Sequence, residues 1–325
     1  MSDRRILITG GSGYVGSALV PVVAAKYACR VLETMTFGNS IAGTPNVEFI
    51  QGDIRDRATV AAALEGVTDV IHLAAVVTDD LVDMGPEYSR QVNCEALRQL
   101  ASLSAHAGVR RLIYASSSSV YGTQDAVCSE DSPTLPMTEY AKTKLMGEQI
   151  INPYARAMTV ASVRCATACG PAPRMRFDTI VNIFCKQAYF DGKITVHGGG
   201  QYRTNIHVRD VADFYLRMLD YPAGDINGEA FNLSRGYHTA RELAEMVQRA
   251  SPTPCQLFID TGKVDNRHYR MDAGKALARL GWRAKRSIEQ AIQDNFEFFA
   301  AGNIADPNSD LYFNTRRMAA TVKGG

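Results

Sequence analysis

Long apolar runs are missing from this 325-residue sequence, and no stretch approaches the roughly 20 residues a helix needs to cross a bilayer. A charged-then-apolar leader is missing as well, since Met1–Arg5 runs straight into the strand-like Ile6-Leu7-Ile8. Excess charge of either sign is absent: 35 Lys+Arg face 34 Asp+Glu. That balance excludes a basic nucleic-acid surface and an acidic solubilising tail, while leaving room for local phosphate sites. Cysteines occur without close pairing, at Cys29, Cys94, Cys128, Cys165, Cys169, Cys185 and Cys255. An odd, scattered set suits reduced and mostly buried thiols, and Cys165-x-x-x-Cys169 is too isolated for zinc. The expectation is a cytoplasmic chain with no metal, no nucleic-acid partner and no membrane partner.

What is present is an ordinary globular balance, 46% apolar and 21% charged, in a chain longer than one typical domain. In the first half, short apolar runs at Arg5–Thr9, Arg30–Glu33, Val47–Gln51, Val67–Ala74, Arg111–Ser116 and Thr159–Arg164 read as strands. Helical patterns at Tyr14–Tyr27, Ala58–Glu65, Glu87–His106 and Thr138–Arg156 separate them. Strands alternating with helices imply parallel pairing through right-handed crossovers, and continuous apolar runs imply strands covered on both faces. The fold class is α/β, a doubly wound parallel sheet with a smaller C-terminal α/β lobe. The expected division is 1–170 for the sheet domain and 171–325 mainly for the lobe, with some interleaving of segments. Helices are expected there at Val208–Tyr221, Thr239–Ala250, Asp272–Leu280 and Ser287–Phe299, with strands at Ile194–Val196 and Ala230–Leu233. From Ala301 to Gly325 no periodicity stands out.

Ile6-Leu7-Ile8-Thr9-Gly10-Gly11-Ser12-Gly13-Tyr14-Val15-Gly16 is a strand, a glycine turn and a helix start. In this G-x-x-G-x-x-G spacing, Gly10 permits the turn, Gly13 lets backbone approach a pyrophosphate, and Gly16 lets helix and strand pack closely. The helix N-terminus offers free N–H groups and partial positive charge to that anion. Three glycines alone also fit a plain turn; the strand-turn-helix context favours a dinucleotide. Glu33 ends the next strand, where a carboxylate accepts both adenosine ribose hydroxyls and repels a 2′-phosphate, so NAD is expected rather than NADP. A solvated strand-end carboxylate is the alternative, with Arg30 close by. Asp53, beside Ile54, either bonds an adenine amino group or caps the following helix.

Tyr140-Ala141-Lys142-Thr143-Lys144 sets Tyr140 and Lys144 four residues apart, on one helix face. A tyrosine with its reference pKa of about 10 is a poor base, and a neighbouring ammonium favours the phenolate. Alone, this spacing is common on helix surfaces. Tyr114-Ala115-Ser116-Ser117-Ser118-Ser119-Val120-Tyr121-Gly122 follows a parallel strand, which brings its hydroxyls to a carboxyl end of the sheet. A serine there can steady a substrate oxygen as charge develops.

These segments together resemble the extended short-chain dehydrogenase/reductase family of nucleotide-sugar epimerases and dehydratases, a family of Rossmann fold. The likeness extends over nearly the whole chain and includes Gly52-Asp53-Ile54, His72-Leu73-Ala74-Ala75 and Val92-Asn93. It implies Ser117 as catalytic hydroxyl, Tyr140 as acid/base and Lys144 on the nicotinamide ribose. It also implies cofactor contacts from Tyr14, Val15, Leu73, Ala74, Ala75 and Asn93. Tyr202-Arg203-Thr204-Asn205-Ile206-His207 and Asp265-Asn266-Arg267-His268-Tyr269 resemble the family segments carrying diphosphate-binding arginines, here Arg203 and Arg267.

Two departures narrow the reading. Family dehydratases carry Thr-Asp-Glu where this chain has Ser117-Ser118-Ser119, so the acid and base for eliminating water are absent. Thr167 stands where the family usually has Asn in Arg-x-x-Asn-x-x-Gly-Pro, at a position that shapes the substrate site. Ser118 and Thr167 therefore join the expected substrate contacts, and no role is assigned within Arg174-Met175-Arg176-Phe177-Asp178. The leading expectation is an NAD-dependent isomerase of carbohydrate metabolism, epimerising a nucleotide diphosphate sugar at C4 through a transient 4-keto sugar. Two alternatives stand beside it: a keto-sugar reductase or dehydrogenase, and a non-catalytic NAD-binding sensor or scaffold. The resemblance also implies a homodimer through the Glu87–His106 and Thr138–Arg156 helices, beside the alternative that their apolar residues all face the sheet.

Overall fold

The computed structural model describes residues 4–262 and 268–324. Seven parallel strands form the main sheet: β1 (Arg5–Thr9), β2 (Ala28–Glu33), β3 (Val47–Gln51), β4 (Asp69–His72), β5 (Arg111–Ser117), β6 (Thr159–Cys165) and β7 (Glu229–Leu233). Their spatial order is β7-β6-β5-β4-β1-β2-β3. The order reverses between β1 and β4, and ligands of open α/β sheets bind outside the carboxyl ends at such a point.

Pleating sends alternate side chains of β1 to opposite faces. Ile6 and Ile8 pack with Leu19, Val20 and Phe214, whereas Leu7 packs with Leu97, Leu100 and Val160. Helices α1 (Tyr14–Ala24) and α4 (Val208–Met218) thus cover one face, with α2 (Ala96–His106) and α3 (Glu139–Ile151) on the other. Each fully buried aliphatic side chain contributes about 1.5–3 kcal/mol, and Ile6, Leu7 and Ile8 are all fully buried.

A third apolar cluster lies in the smaller lobe, around Phe177, Phe184, Leu243, Ile292 and Phe299. Short sheets there pair Thr167–Cys169 with Tyr202–His207, and Lys193–His197 with Gln256–Asp260. The structure departs from the sequence reading in three places. Residues 229–233, grouped above with the lobe, pair in parallel with β6 and complete the main sheet. The stretch after Ala301 contains helix α5 (Asn314–Gly324), whose buried Val322 carbonyl would lie 2.2 Å from a Cβ at Gly85. The pattern read as one helix over Glu87–His106 is interrupted by a widened π turn at Gln91–Glu95. Among the described residues, no helix is long and apolar enough to cross a membrane.

Candidate active site

The glycine turn joins β1 to α1. Gly10 has φ +75°, and a Cβ there would lie 2.7 Å from the Ala74 amide nitrogen. A Cβ on Gly16 would lie 2.3 Å from the Gly10 carbonyl oxygen. Both positions exclude a side chain, one for the turn and one for close packing. Gly13 is the N-cap of α1 and contributes no side-chain cap, so the helix's first amides face outward for an external acceptor.

That turn borders a cavity of about 190 Å³ lined by Gly10, Gly13, Tyr14, Val15, Gly16, Glu33, Asp53, Ile54, Leu73, Ala74 and Ala75, among others. Glu33 accepts the Ser12 amide at 3.2 Å through Oε2 and the Thr34 amide at 2.9 Å through Oε1. Burial raises its pKa against these bonds. Arg30 points away: its guanidinium pairs with Glu48 at 2.8 Å and donates to the Ala63 and Glu65 carbonyls. Asp53 pairs with Arg55 at 2.8 Å, and side-chain and backbone bonds from Arg55 hold its carboxylate below the usual range against burial. Tyr14 turns its side chain toward the lobe, donating to the Gly170 carbonyl at 2.6 Å.

Asn93 lines neither cavity described here. It sits buried in the π turn, where its amide accepts from the Val76 nitrogen at 2.8 Å and donates to the Val76 oxygen at 2.9 Å. It thereby braces the loop after β4. His72, the last residue of β4, is bonded to Thr9 Oγ1 on β1 at 2.7 Å. Burial, aided by the Lys144 charge, pushes its pKa down to about 3, so the imidazole is neutral.

A larger cavity of about 980 Å³ shares Tyr14, Val15, Leu73, Val77 and Arg176 with the first. Ser117, Ser118, Tyr140, Lys144, Thr167 and Arg203 all line it, so the structure gathers most of the expected catalytic and substrate residues in one place. β5 delivers Ser117 at its carboxyl end. Helix α3 presents Tyr140 and Lys144, and is capped by Thr138, whose hydroxyl accepts the Ala141 amide. Arg267 lies outside the described residues. Tyr269, just beyond it, lines the cavity and shares a 2.9 Å hydrogen bond with Ser118 Oγ.

The electrostatics differ from the simple expectation. Burial pushes the Tyr140 phenol up to about 12, opposed by a hydrogen bond with Ser117 and by the charge of Arg176. Lys144 is 4% exposed; it donates to the Ala115 carbonyl at 2.9 Å, and burial pushes its pKa down to about 8. Its Nζ lies 5.8 Å from the Tyr140 ring centroid. Arg176, a residue given no role by motif spacing, is a further cation that favours the phenolate here. Its guanidinium pairs with Asp178, and both line the larger cavity. The run Arg174–Asp178 carried a signal in its charge density, though nothing in sequence told which charge faced the tyrosine.

Beneath the site, Arg164 makes a paired contact with Glu148, Nε to Oε1 at 2.9 Å and Nη2 to Oε2 at 2.8 Å. Ser116 donates to the same carboxylate at 2.5 Å. This buried cluster ties α3 to β5 and β6, and so fixes Tyr140 relative to Ser117. Among the described residues, no three His, Cys, Asp or Glu side chains gather to hold a metal.

Comparison with known proteins bears on family and fold. A profile of the NAD dependent epimerase/dehydratase family matches residues 6–234. A UDP-glucose 4-epimerase of Mycolicibacterium smegmatis is 30% identical over 310 residues, covering 91% of this chain and 98% of that protein. The dTDP-D-glucose 4,6-dehydratase of Mus musculus is 26% identical, covering 91% and 88% respectively. Among solved structures, MoeE5 in complex with UDP-glucuronic acid and NAD superposes with TM-score 0.83 at 24% identity, over 92% of this chain and 99% of that one. The last likeness speaks for the fold.

Proposed function

The chain belongs to the NAD-dependent epimerase/dehydratase family, and from that premise we propose that it epimerises a nucleotide diphosphate sugar at C4. The observation that carries this reading is the meeting of Ser117, Tyr140 and Lys144 in the larger cavity, which adjoins the smaller one through Tyr14, Val15, Leu73, Val77 and Arg176, with Ser118 and Ser119 beside them. Ser118 is engaged by Tyr269, and the Ser119 hydroxyl donates to Ser117 Oγ at 2.9 Å. Neither supplies the acid or base that dehydration needs. The name of the mycobacterial relative points to a uridine diphosphate hexose as substrate.

The residues around the smaller cavity fit NAD. Positions 10 and 16 admit no Cβ, the start of α1 faces outward without a side-chain cap, and the carboxylate of Glu33 closes the far end of β2. When bound, NAD supplies the acceptor for the sugar's hydride and gives it back. Tyr140 takes the proton from the C4 hydroxyl and later returns it. Ser117 holds that oxygen as charge develops, and Arg176 favours the phenolate. Lys144, which donates to the Ala115 carbonyl, takes the nicotinamide ribose in this reading. Arg203, and Arg267 with it, grip the diphosphate while the keto sugar turns within the larger cavity. Thr167 lines the larger cavity beside Asn205, its neighbour in the strand pairing, and helps shape the substrate site.

The division of labour follows: residues 1–170 mainly hold the cofactor, and 171–325 mainly hold substrate, with β7 returning to the main sheet. The assembly we propose is a homodimer through α2 and α3, which pack side by side; Met146 on α3 is 39% exposed.

Identifying the nucleotide released when freshly purified protein is denatured tests the reading. NAD close to one per chain is expected, because an epimerase closes its redox cycle on one retained cofactor. A protein free of nucleotide would favour a dehydrogenase or reductase that exchanges it, and NADP would overturn the role of Glu33.

A further inference from the structure

Arg174 lines the smaller cavity and is 5% exposed. Its backbone amide donates to Ser17 Oγ at 3.1 Å, and that hydroxyl donates to the Tyr14 carbonyl at 3.1 Å. The residue is thereby tied to the first turn of α1, directly behind the glycine loop. Its guanidinium plane is fixed twice. Nη2 donates to Asn314 Oδ1 at 2.6 Å, and the group lies 3.9 Å over the Phe37 ring centroid. Both Phe37 and Asn314 line the same cavity.

Arg174 Nε is buried and has no hydrogen-bond partner, and no carboxylate pairs with this guanidinium among the described residues. Burial, with Arg176 nearby, lowers its pKa to about 9 against the opposing charges of Asp178 and Glu33. A buried cation with no carboxylate in direct contact is costly, and an anion in the cavity it lines relieves that cost.

We infer that Arg174 is a diphosphate-binding residue of the cofactor site, a cationic wall that completes the anion cradle begun by Gly10–Gly16. Phe37 and Asn314 hold its fork rigid, so little freedom is lost when paired bonds form to phosphate oxygens. The inference rests on the reading of this cavity as the NAD site.

Binding of ADP and of adenosine to the full-length protein, stripped of retained nucleotide on charcoal, isolates the diphosphate contribution. The wild type is expected to prefer ADP over adenosine by roughly tenfold or more. Arg174→Met should bring the two within about twofold while leaving adenosine binding unchanged, and Arg174→Lys should keep part of the preference. Phe37→Leu, at a part-exposed position, should lower the same ratio by loosening the guanidinium plane, and it guards against a folding failure at Arg174. A wild-type ratio in both Arg174→Met and Phe37→Leu would overturn the inference while leaving the NAD reading intact. A wild-type protein that bound neither ligand would overturn the NAD reading, and the inference with it.

Discussion

Burial acts on Tyr140 and Lys144 in the same way, disfavouring the charged form of each, and the two pKa values move toward opposite ends of the scale. For Lys144 this has a consequence for stability. Its folded pKa of about 8 lies below the ordinary lysine value of 10.5, so between these values the unfolded chain binds more protons than the native one. Stability therefore rises with pH across that window, by roughly 3 kcal/mol when complete, and the penalty is fully present below about pH 8. Above about pH 10 the raised Tyr140 works against the trend. Urea midpoints of wild type and Lys144→Met are expected to diverge between pH 8 and 10, the wild type gaining about 2 kcal/mol relative to the variant. Parallel curves would show that Lys144 is not held in a desolvated state. Motif spacing singled out Tyr140 and Lys144, one helix turn apart, and a serine run at a strand end; the family resemblance picked Ser117 from that run. Arg176 and Tyr269 were not legible as site residues, because they arrive from the lobe through contacts that no local pattern records.

At the scale of elements, α3 depends on more than its apolar face. Glu148 anchors it to β6 through Arg164 and to β5 through Ser116, in a buried cluster where each charge has a partner. Removing one partner leaves the other charge uncompensated. Glu148→Gln is expected to cost about 3–5 kcal/mol of stability by chemical denaturation, and replacing Glu148 and Arg164 together by Leu and Met should recover much of it. A single variant as stable as wild type would mean that the pair does not hold the helix. Apolar runs and periodicity located β1 and β3 to the residue and placed most other boundaries within a few positions. The π turn around Asn93 was invisible because widening a turn leaves the apolar pattern nearly unchanged. Helix α5 was missed because Met318 and Val322 provide only a short apolar stripe, which finds its partner in the distant segment Asp79–Met84.

On the scale of the whole molecule, the reversal of strand order between β1 and β4 brings the glycine turn, the loop after β4 and the serines after β5 to one edge. The alternation of strands and helices foretold that convergence. Sequence order could not tell that residues 229–233 cross back to complete the main sheet, since a five-residue strand records nothing of its neighbour. Helix α5 and the segment before it reach both cavities: Asn314 and Met318 line the smaller, Phe313, Thr315 and Arg316 the larger. One C-terminal segment thus borders both cavities, which suits the proposed reaction, where hydride passes out and back. The most direct test is to incubate the protein with UDP-[4-²H]glucose and no added cofactor, and to follow the products by NMR. The account predicts the C4 epimer with deuterium still on C4, formed by the wild type and nearly abolished in Tyr140→Phe. Loss of the label to solvent, or product formed only in proportion to added nicotinamide cofactor, would contradict it.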